Sequence, residues 1–93
     1  MNTLEISGQE AMNVATLISS EACFRILELL DKEELDVSTM AKRLGFSEAH
    51  ISEELSRLEE VGLVKAHYMK GKRGIRKICA LNYNKIIINL HID

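Results

Sequence analysis

The chain has 93 residues, of which 46% are hydrophobic and 28% are charged, a composition typical of one soluble globular domain with a modest core. No apolar run approaches the ~20 residues that span a bilayer, and the first residues lack the basic start and apolar run of a secretory signal. The sequence thus argues against a membrane or secreted protein. We expect a single domain over residues 1–93, in the cytoplasm.

The net charge of −2 hides an uneven distribution of basic residues. Six of the twelve Lys and Arg residues lie between Lys65 and Lys77, a stretch without Asp or Glu, which leaves six basic and fourteen acidic residues elsewhere. This segregation predicts a positive field at one end of the molecule, as a nucleic-acid binder needs. The alternative is a charged hairpin that is merely solvated.

Two helices are predicted in the first third of the chain, after a loose or extended start at residues 1–6. The N-terminal helix covers residues 7–18, where Ser7 and Glu10 have the spacing of a capping box. The second covers residues 21–30 and has too many apolar positions for a narrow stripe, so it is predicted to be the central core element. The apolar residues expected to be buried are Met12, Ala15, Leu17 and Ile18 in the first helix, and Phe24, Ile26, Leu27, Leu29 and Leu30 in the second. The first helix either covers the core or forms an oligomer surface.

Residues 38–61 are predicted to form a helix-turn-helix, after a polar loop. Ser38 is the predicted N-cap of a short helix that ends at Gly45, and Ser47 is the predicted N-cap of a longer helix that ends before Gly62. A short helix, a glycine-containing turn and a longer helix are typical of this motif, which also occurs in proteins that do not bind DNA. The predicted buried face of the longer helix carries Ile51, Leu55 and Leu58.

A two-stranded wing is predicted over residues 63–81, with a basic turn at 70–74. Residues 35–37 are predicted to add a short strand to the same sheet. The tail, residues 82–93, contains three consecutive isoleucines, which favour a strand. Because so apolar a strand is unfavourable as a bare edge, we expect the tail to join a sheet, to pack as a helix on the first helix, or to pair with a second subunit.

The reactive side chains predict neither a catalytic nor a metal centre. Cys23 and Cys79 are expected to be reduced and buried, because no Cys-x-x-Cys pair occurs and two cysteines are few for a disulfide framework. His50, His67 and His91 fall on three different predicted elements, so we expect no metal site and no cofactor. The glycines of the basic turn fit a hairpin better than a phosphate-binding loop, and we predict that the chain is not an enzyme.

The chain resembles the winged-helix repressors of the ArsR type in the segments Ser20–Leu30, Leu35–Gly45 and Ser47–Val64. Its Arg73–Cys79 wing and isoleucine-rich tail are most similar to archaeal and bacterial regulators with this domain, and the resemblance covers residues 17–81. It implies an α+β, mainly α fold: a winged helix-turn-helix of about four helices and a β-hairpin wing that forms a homodimer. The implied function is that of a transcriptional regulator, a repressor that binds double-stranded DNA sequence-specifically.

The resemblance also implies which residues contact DNA. In such proteins the helix corresponding to residues 47–61 enters the major groove, and the wing, here residues 65–77, lies along the flanking backbone. The implied base-reading residues are Glu48, Ala49, His50, Ser52 and Glu53. The implied backbone contacts are Thr39, Lys42, Arg43, Ser47, Arg57, Lys70, Lys72, Arg73, Arg76 and Lys77.

Two features depart from the family. Basic or polar side chains usually stand where this chain has Glu53 and Glu54. Glutamate accepts a hydrogen bond from cytosine N4 but repels phosphates, so we expect Glu54 to point sideways and the wing to supply most of the affinity. Metal-sensing members carry a cysteine motif at the start of the third helix, where this chain has Asp36, Val37 and Ser38.

The acidic helix and the negative net charge also fit a second function, a winged-helix protein–protein interaction module without physiological DNA binding. A gel-shift series at low salt distinguishes the two functions. The residues identify neither the operator and target genes nor any small-molecule effector or redox signal. They also leave open whether the N-terminal helix or the tail forms the dimer interface.

Overall fold

A computed structural model describes residues 2–91, which form four helices and five strands. In chain order these are β1 Thr3–Ile6, α1 Gly8–Ile18, α2 Glu21–Lys32, β2 Leu35–Asp36, α3 Val37–Leu44, α4 Glu48–Glu60, β3 Val64–Gly71, β4 Gly74–Leu81 and β5 Lys85–Ile88. Helices α3 and α4 form the helix-turn-helix, and β3 and β4 form the wing. The predicted winged helix-turn-helix is confirmed.

Side chains cap three of the helices at their N-termini. The hydroxyl of Ser20 accepts a hydrogen bond from the backbone N–H of Cys23, and that of Ser47 accepts one from the N–H of His50. At α3 the cap is Asp36 and not the predicted Ser38, because the helix begins at Val37. The Asp36 carboxylate, two residues before Ser38, is a stronger acceptor than a hydroxyl, and it accepts the hydrogen bond from the N–H of Thr39.

The start of α1 differs from the predicted capping box. Ser7 is the N-cap residue but its side chain makes no capping hydrogen bond. Gly8 follows with φ +59, so the chain enters the helix through a left-handed residue, a conformation that glycine adopts without strain. The buried residues of α1 are Ala11 and Val14.

The predicted burial of several apolar residues was also wrong. Met12 and Ala15 are exposed, because the core-facing side of α1 is centred on positions 11 and 14. Phe24 is 51% exposed, since α2 has apolar residues on more sides than the core covers. It borders a groove of about 350 Å³ together with Ile18 and Ile86.

The core lies between α2, α3, α4 and the wing sheet. Its largest fully buried side chains come from the three helices and from the residue just before β3: Ile26, Met40, Ile51, Leu55, Leu58 and Leu63. The predicted buried face of α4 is therefore confirmed. Cys23 and Cys79 are both buried and both free thiols, as expected.

The wing sheet has the strand order β2-β4-β3 and is antiparallel throughout. Leu35 pairs with Cys79, which confirms the predicted short strand, although Val37 belongs to α3. Strands β3 and β4 pair from Val64 opposite Leu81 out to Gly71 opposite Gly74. The ribbon therefore continues through most of the predicted turn, and only two residues remain at its tip.

The tail joins a second sheet. Strand β5 pairs in parallel with β1, with Leu4 opposite Ile86 and Ile6 opposite Ile88. We call this two-stranded sheet the terminal ribbon. It resolves the three alternatives for the tail in favour of a strand within the same chain, and it gives the loose start of the chain a regular structure. Residues 92 and 93 of the predicted tail lie outside the described residues.

Candidate nucleic-acid interface

The outward face of α4 is set by its buried face. With 3.6 residues per turn, burial of Ile51, Leu55 and Leu58 turns Ala49, Glu53 and other residues on the opposite side to solvent, with Ser52 towards one edge of this face. The five predicted base-reading residues, Glu48, Ala49, His50, Ser52 and Glu53, are all exposed. Glu48 and His50 lie at the two flanks of this face.

Two more details of the α4 surface bear on base reading. The His50 ring makes a T-shaped contact with Phe46, with ring centroids 5.0 Å apart, so it is exposed but held in place. Ser56 lies one turn after Ser52 on the same exposed face, and its hydroxyl donates to the backbone oxygen of Ser52 at 3.1 Å. Sequence reasoning missed Ser56, although its i+4 spacing from Ser52 could have identified it.

Glu54 does not lie beside the exposed face but inside the protein, with 5% of its surface exposed. Its carboxylate accepts hydrogen bonds from the Cys23 thiol at 2.9 Å and the Ser20 hydroxyl at 3.1 Å, and it pairs with Arg57. The thiol hydrogen bond lowers the pKa of Glu54 although burial opposes this shift. Burial and the neighbouring carboxylate raise the pKa of Cys23 to about 12. This buried charge ties α4 to the start of α2 and does not face a DNA surface.

Arg57, a predicted contact to the DNA backbone, forms ion pairs with two carboxylates of its own helix. Its guanidinium donates to Glu54 and, at 3.1 Å, to Glu53 one turn earlier. The pair with Glu53 is exposed on both sides, so it stabilises the helix only weakly and can separate in favour of another partner. Arg57 thus offsets part of the negative charge of Glu53 and Glu54.

The remaining basic residues predicted to contact the DNA backbone fall into two groups. In the first group, Arg76 pairs with Asp36, Lys77 with Glu59 and Arg43 with Glu33. Hydrogen bonds from Thr39 and from Arg76 lower the pKa of Asp36 to about 2, and the bond to Glu59 raises the pKa of Lys77. The first two pairs join the middle of β4 to the start of α3 and to α4, and the third joins α3 to the end of α2. The second group has no carboxylate partner within residues 2–91 and consists of Lys42, Lys70, Lys72 and Arg73.

The unpaired cations of the wing are concentrated at its tip. Gly71 and Gly74 form the last strand pair, and Lys72 and Arg73 occupy the two turn positions between them. Gly74 has φ +114, a conformation that favours glycine, and a Cβ at Gly71 would lie 2.9 Å from the Arg76 side chain, which would have to shift. The tight turn therefore presents two exposed cations at the end of the ribbon.

The remaining predicted backbone contacts lie at helix starts. Ser47 is exposed, and while its oxygen caps α4 its hydroxyl proton remains available for a phosphate oxygen. Thr39 is partly exposed in the first turn of α3. Such positions are common phosphate contacts, since backbone N–H groups and hydroxyls converge there.

The described part of the chain contains no group of three or more His, Cys, Asp or Glu side chains arranged to hold a metal ion. Among the helices of residues 2–91, none has the length and apolar character needed to cross a membrane.

Comparisons with known proteins agree with this geometry. The model of the family described as bacterial regulatory protein, arsR family, matches residues 22–66, from α2 to the start of the wing. No curated protein sequence matches the chain.

Several solved structures are similar to this chain. HlyU from Vibrio cholerae, in its reduced form, is 25% identical, with a TM-score of 0.67 over 77% of this chain and 72% of that chain. The homodimeric winged helix-turn-helix DNA-binding domain of Mb0332 from Mycobacterium bovis is also 25% identical, with a TM-score of 0.66 over 77% and 63% of the two chains. NolR from Sinorhizobium fredii is 22% identical, with a TM-score of 0.70 over 82% and 72%, and supports the fold alone.

Proposed function

We propose that this chain, whose residues 22–66 form a helix-turn-helix domain of the arsR family, is a regulator of transcription that binds double-stranded DNA sequence-specifically. The observation that carries the proposal is the tip of the wing, where Lys70, Lys72 and Arg73 are exposed, close together and unpaired within the described chain. A positive ribbon beside an exposed second helix is the arrangement with which winged helices hold duplex DNA.

In this proposal α4 enters the major groove and discriminates between sequences. Ala49 suits contact with a thymine methyl group, while Ser52 and His50 supply hydrogen-bonding groups. Glu48 and Glu53 favour cytosine N4 donors and disfavour other edges, so they select more than they attract.

The two groups of cations have different roles. Lys70, Lys72, Arg73 and Lys42 bind phosphates directly and supply most of the affinity, together with the hydroxyls of Thr39 and Ser47. The paired cations Arg43, Arg57, Arg76 and Lys77 primarily orient α4 and the wing, and they contact phosphates where their exposed ion pairs open.

The protein acts as a homodimer, the state in which the similar Mb0332 domain is found. The surface we assign to the interface combines α1, where Met12 is 63% exposed, with the terminal ribbon and the residues just after it, where Leu90 is 92% exposed. These side chains and Ile88 border one groove, together with Ala15. An apolar patch built from two elements that do not contact DNA suits a second copy, because palindromic operators require two-fold symmetry.

Within this function the protein represses transcription, has no catalytic role and works in the cytoplasm, as bacterial regulators of this family do. No cofactor is required by the proposed chemistry, which consists of hydrogen bonds and ion pairs with DNA.

Selection of bound duplexes from a random pool tests the proposal. We expect enrichment of a palindromic site with half-sites about one helical turn, or ~34 Å, apart. Ser52→Ala should change the enriched sequence with little change in affinity for unrelated DNA, whereas alanine at Lys72 and Arg73 should weaken binding to all duplexes. Sedimentation with Leu90→Glu tests the dimer surface, because a charge there should shift the protein to monomer.

A second candidate function is a protein-interaction module, and the observation that favours it is the acidity of the exposed face of α4, with Glu53 and Glu60 beside Ala49. This candidate predicts no binding of any duplex at micromolar protein in low salt. Enrichment of a duplex sequence would instead rule it out as the main function.

A further inference from the structure

The outer part of the wing carries exposed apolar side chains as well as cations. Ile75 is 75%, Tyr68 66% and Met69 54% exposed. They share the outer part of the ribbon with Lys70, Lys72 and Arg73, and no acidic residue lies between positions 65 and 77. A merely solvated hairpin gains nothing from three large apolar groups in water, whereas a ribbon that binds an apolar surface edged by negative charge uses both kinds of side chain.

The strand register places Ile75 on the side of the ribbon that faces α4. Residues directly opposite each other in an antiparallel pair share a face, and Lys70 is opposite Ile75 while Tyr68 is opposite Lys77. These four residues alternate in step along the two strands, so they lie on one face. Lys77 donates to Glu59 of α4, which identifies that face as the α4 side. Ile75 thus lies next to a cation, on the side of the proposed recognition helix and further out than Lys77.

The minor groove of DNA has the chemistry that this arrangement would recognise. Its walls are apolar sugar edges and its rims are rows of phosphates, and proteins that bind it often insert Ile, Leu, Met or Phe between base steps and bend the duplex. Lys70 lies directly across the ribbon from Ile75, in the outermost strand pair but one, and Arg73 lies in the turn two residues before Ile75. Both cations are therefore close enough to Ile75 to bind phosphates beside an inserted side chain.

We propose that Ile75 is an apolar wedge that enters the minor groove flanking the proposed operator, partly unstacks one base step and bends the DNA. The inference rests on the proposed DNA binding and adds a mode of recognition to it. Pyrimidine–purine steps such as TA and CA unstack most easily, so the wedge would create a preference for them at positions where no hydrogen bond reads a base.

The test uses a selected duplex with a fluorophore at each end and 2-aminopurine at the flanking step. Energy transfer between the ends measures the bend, 2-aminopurine fluorescence measures unstacking, and anisotropy titrations at several salt concentrations give affinity and salt dependence. The variant is Ile75→Thr, which keeps a β-branched residue in the strand and so preserves the ribbon. Ile75→Leu is the conservative variant. Phe24→Ala is the matched control, because Phe24 is also a large exposed apolar side chain but lies on α2, outside the proposed DNA and dimer surfaces.

We expect wild-type protein to bend the duplex and raise 2-aminopurine fluorescence. Ile75→Thr should lose both signals and bind about tenfold more weakly, as expected for loss of one buried apolar contact, with an unchanged salt slope. Ile75→Leu should retain both signals, and Phe24→Ala should behave as wild type.

Several results would overturn the inference. If wild-type protein binds its site without unstacking or bending the DNA, the wedge is refuted and the proposed function stands. The same holds if the Ile75→Thr variant bends DNA as wild type does. If Ile75→Thr weakened binding to phosphatidylserine vesicles but left DNA bending unchanged, the side chain would instead serve to bind a membrane surface. Failure of the wild type to bind any duplex at low salt would end both proposals.

Discussion

Replacing Lys72 and Arg73 by glutamine removes the two cations at the turn of the wing and leaves its glycines and strands in place. Each cation that contacts a phosphate contributes about 0.9 to the slope of log K against log salt, so the double variant should lower the slope by about 1.8. The affinity that the double variant loses relative to wild type should therefore be about twelvefold larger at 50 mM salt than at 200 mM salt. The variant should therefore bind almost normally at high salt and poorly at low salt, relative to wild type.

Fluorescence anisotropy with one labelled duplex, titrated at four or more salt concentrations, measures this slope. The matched control is Arg25→Gln with Lys32→Gln, which removes the same net charge from exposed positions on α2, outside the proposed interface. The control should change the slope by much less than one, because those cations contact no phosphate. Equal slopes for the wing variant and wild type, or equal losses in both double variants, would refute the assignment of the wing tip to the DNA backbone.

Three further predictions concern the residues that hold α4 and the wing in place. Glu54→Ala should lower the free energy of unfolding by about 3 kcal/mol, because it leaves buried partners unpaired. The control Glu53→Ala, at an exposed neighbouring position, should change it by less than about 0.5 kcal/mol. Urea titrations measure both values, and similar losses in the two variants would contradict the buried network. Asp36→Asn should cost about 1 kcal/mol at pH 7. Because the pKa of Asp36 is lowered to about 2, its contribution is present above pH 3.8 and is lost as pH falls towards 2, so the difference between variant and wild type should vanish in acid melts. Iodoacetamide at pH 8 should alkylate Cys23 and Cys79 slowly until urea is added, because burial raises the pKa of both thiols. Mass spectrometry measures the labelling, and fast labelling of the folded protein would disprove this prediction.

The parts of the fold that could be predicted were those encoded by local periodicity. Ile51, Leu55 and Leu58 specify the buried face of α4 at helical spacing, and Gly45 ends α3 with φ +76. The errors arose where two local rules competed. Ser38 and Asp36 both suit an N-cap, and only the position of the β2 pairing decides between them.

The pairing of charges could not be predicted, because it joins residues that are distant in sequence. Asp36 and Arg76 are 40 positions apart, and nothing in either local segment indicates the other. The same holds for the burial of Glu54, which depends on Ser20 and Cys23 at the start of another helix. A count of the basic residues in the wing therefore predicted more unpaired cations near α4 than the structure has. It also did not show that the unpaired cations are concentrated at the tip of the wing.

The terminal ribbon has a consequence for the order of folding. The hydrogen bond between Glu5 and Asn89 joins residues 84 positions apart, and closing a loop of that length costs about 4 kcal/mol in chain entropy beyond a constant term. The helices and the wing hairpin make mostly local contacts, so they can form before this loop closes. Two short strands return little energy for so large a closure, and the ribbon should form last. Since Ile88 and Leu90 take their places only then, each chain would complete its own fold before it offers the surface proposed for a second copy, which protects the nascent chain from premature association.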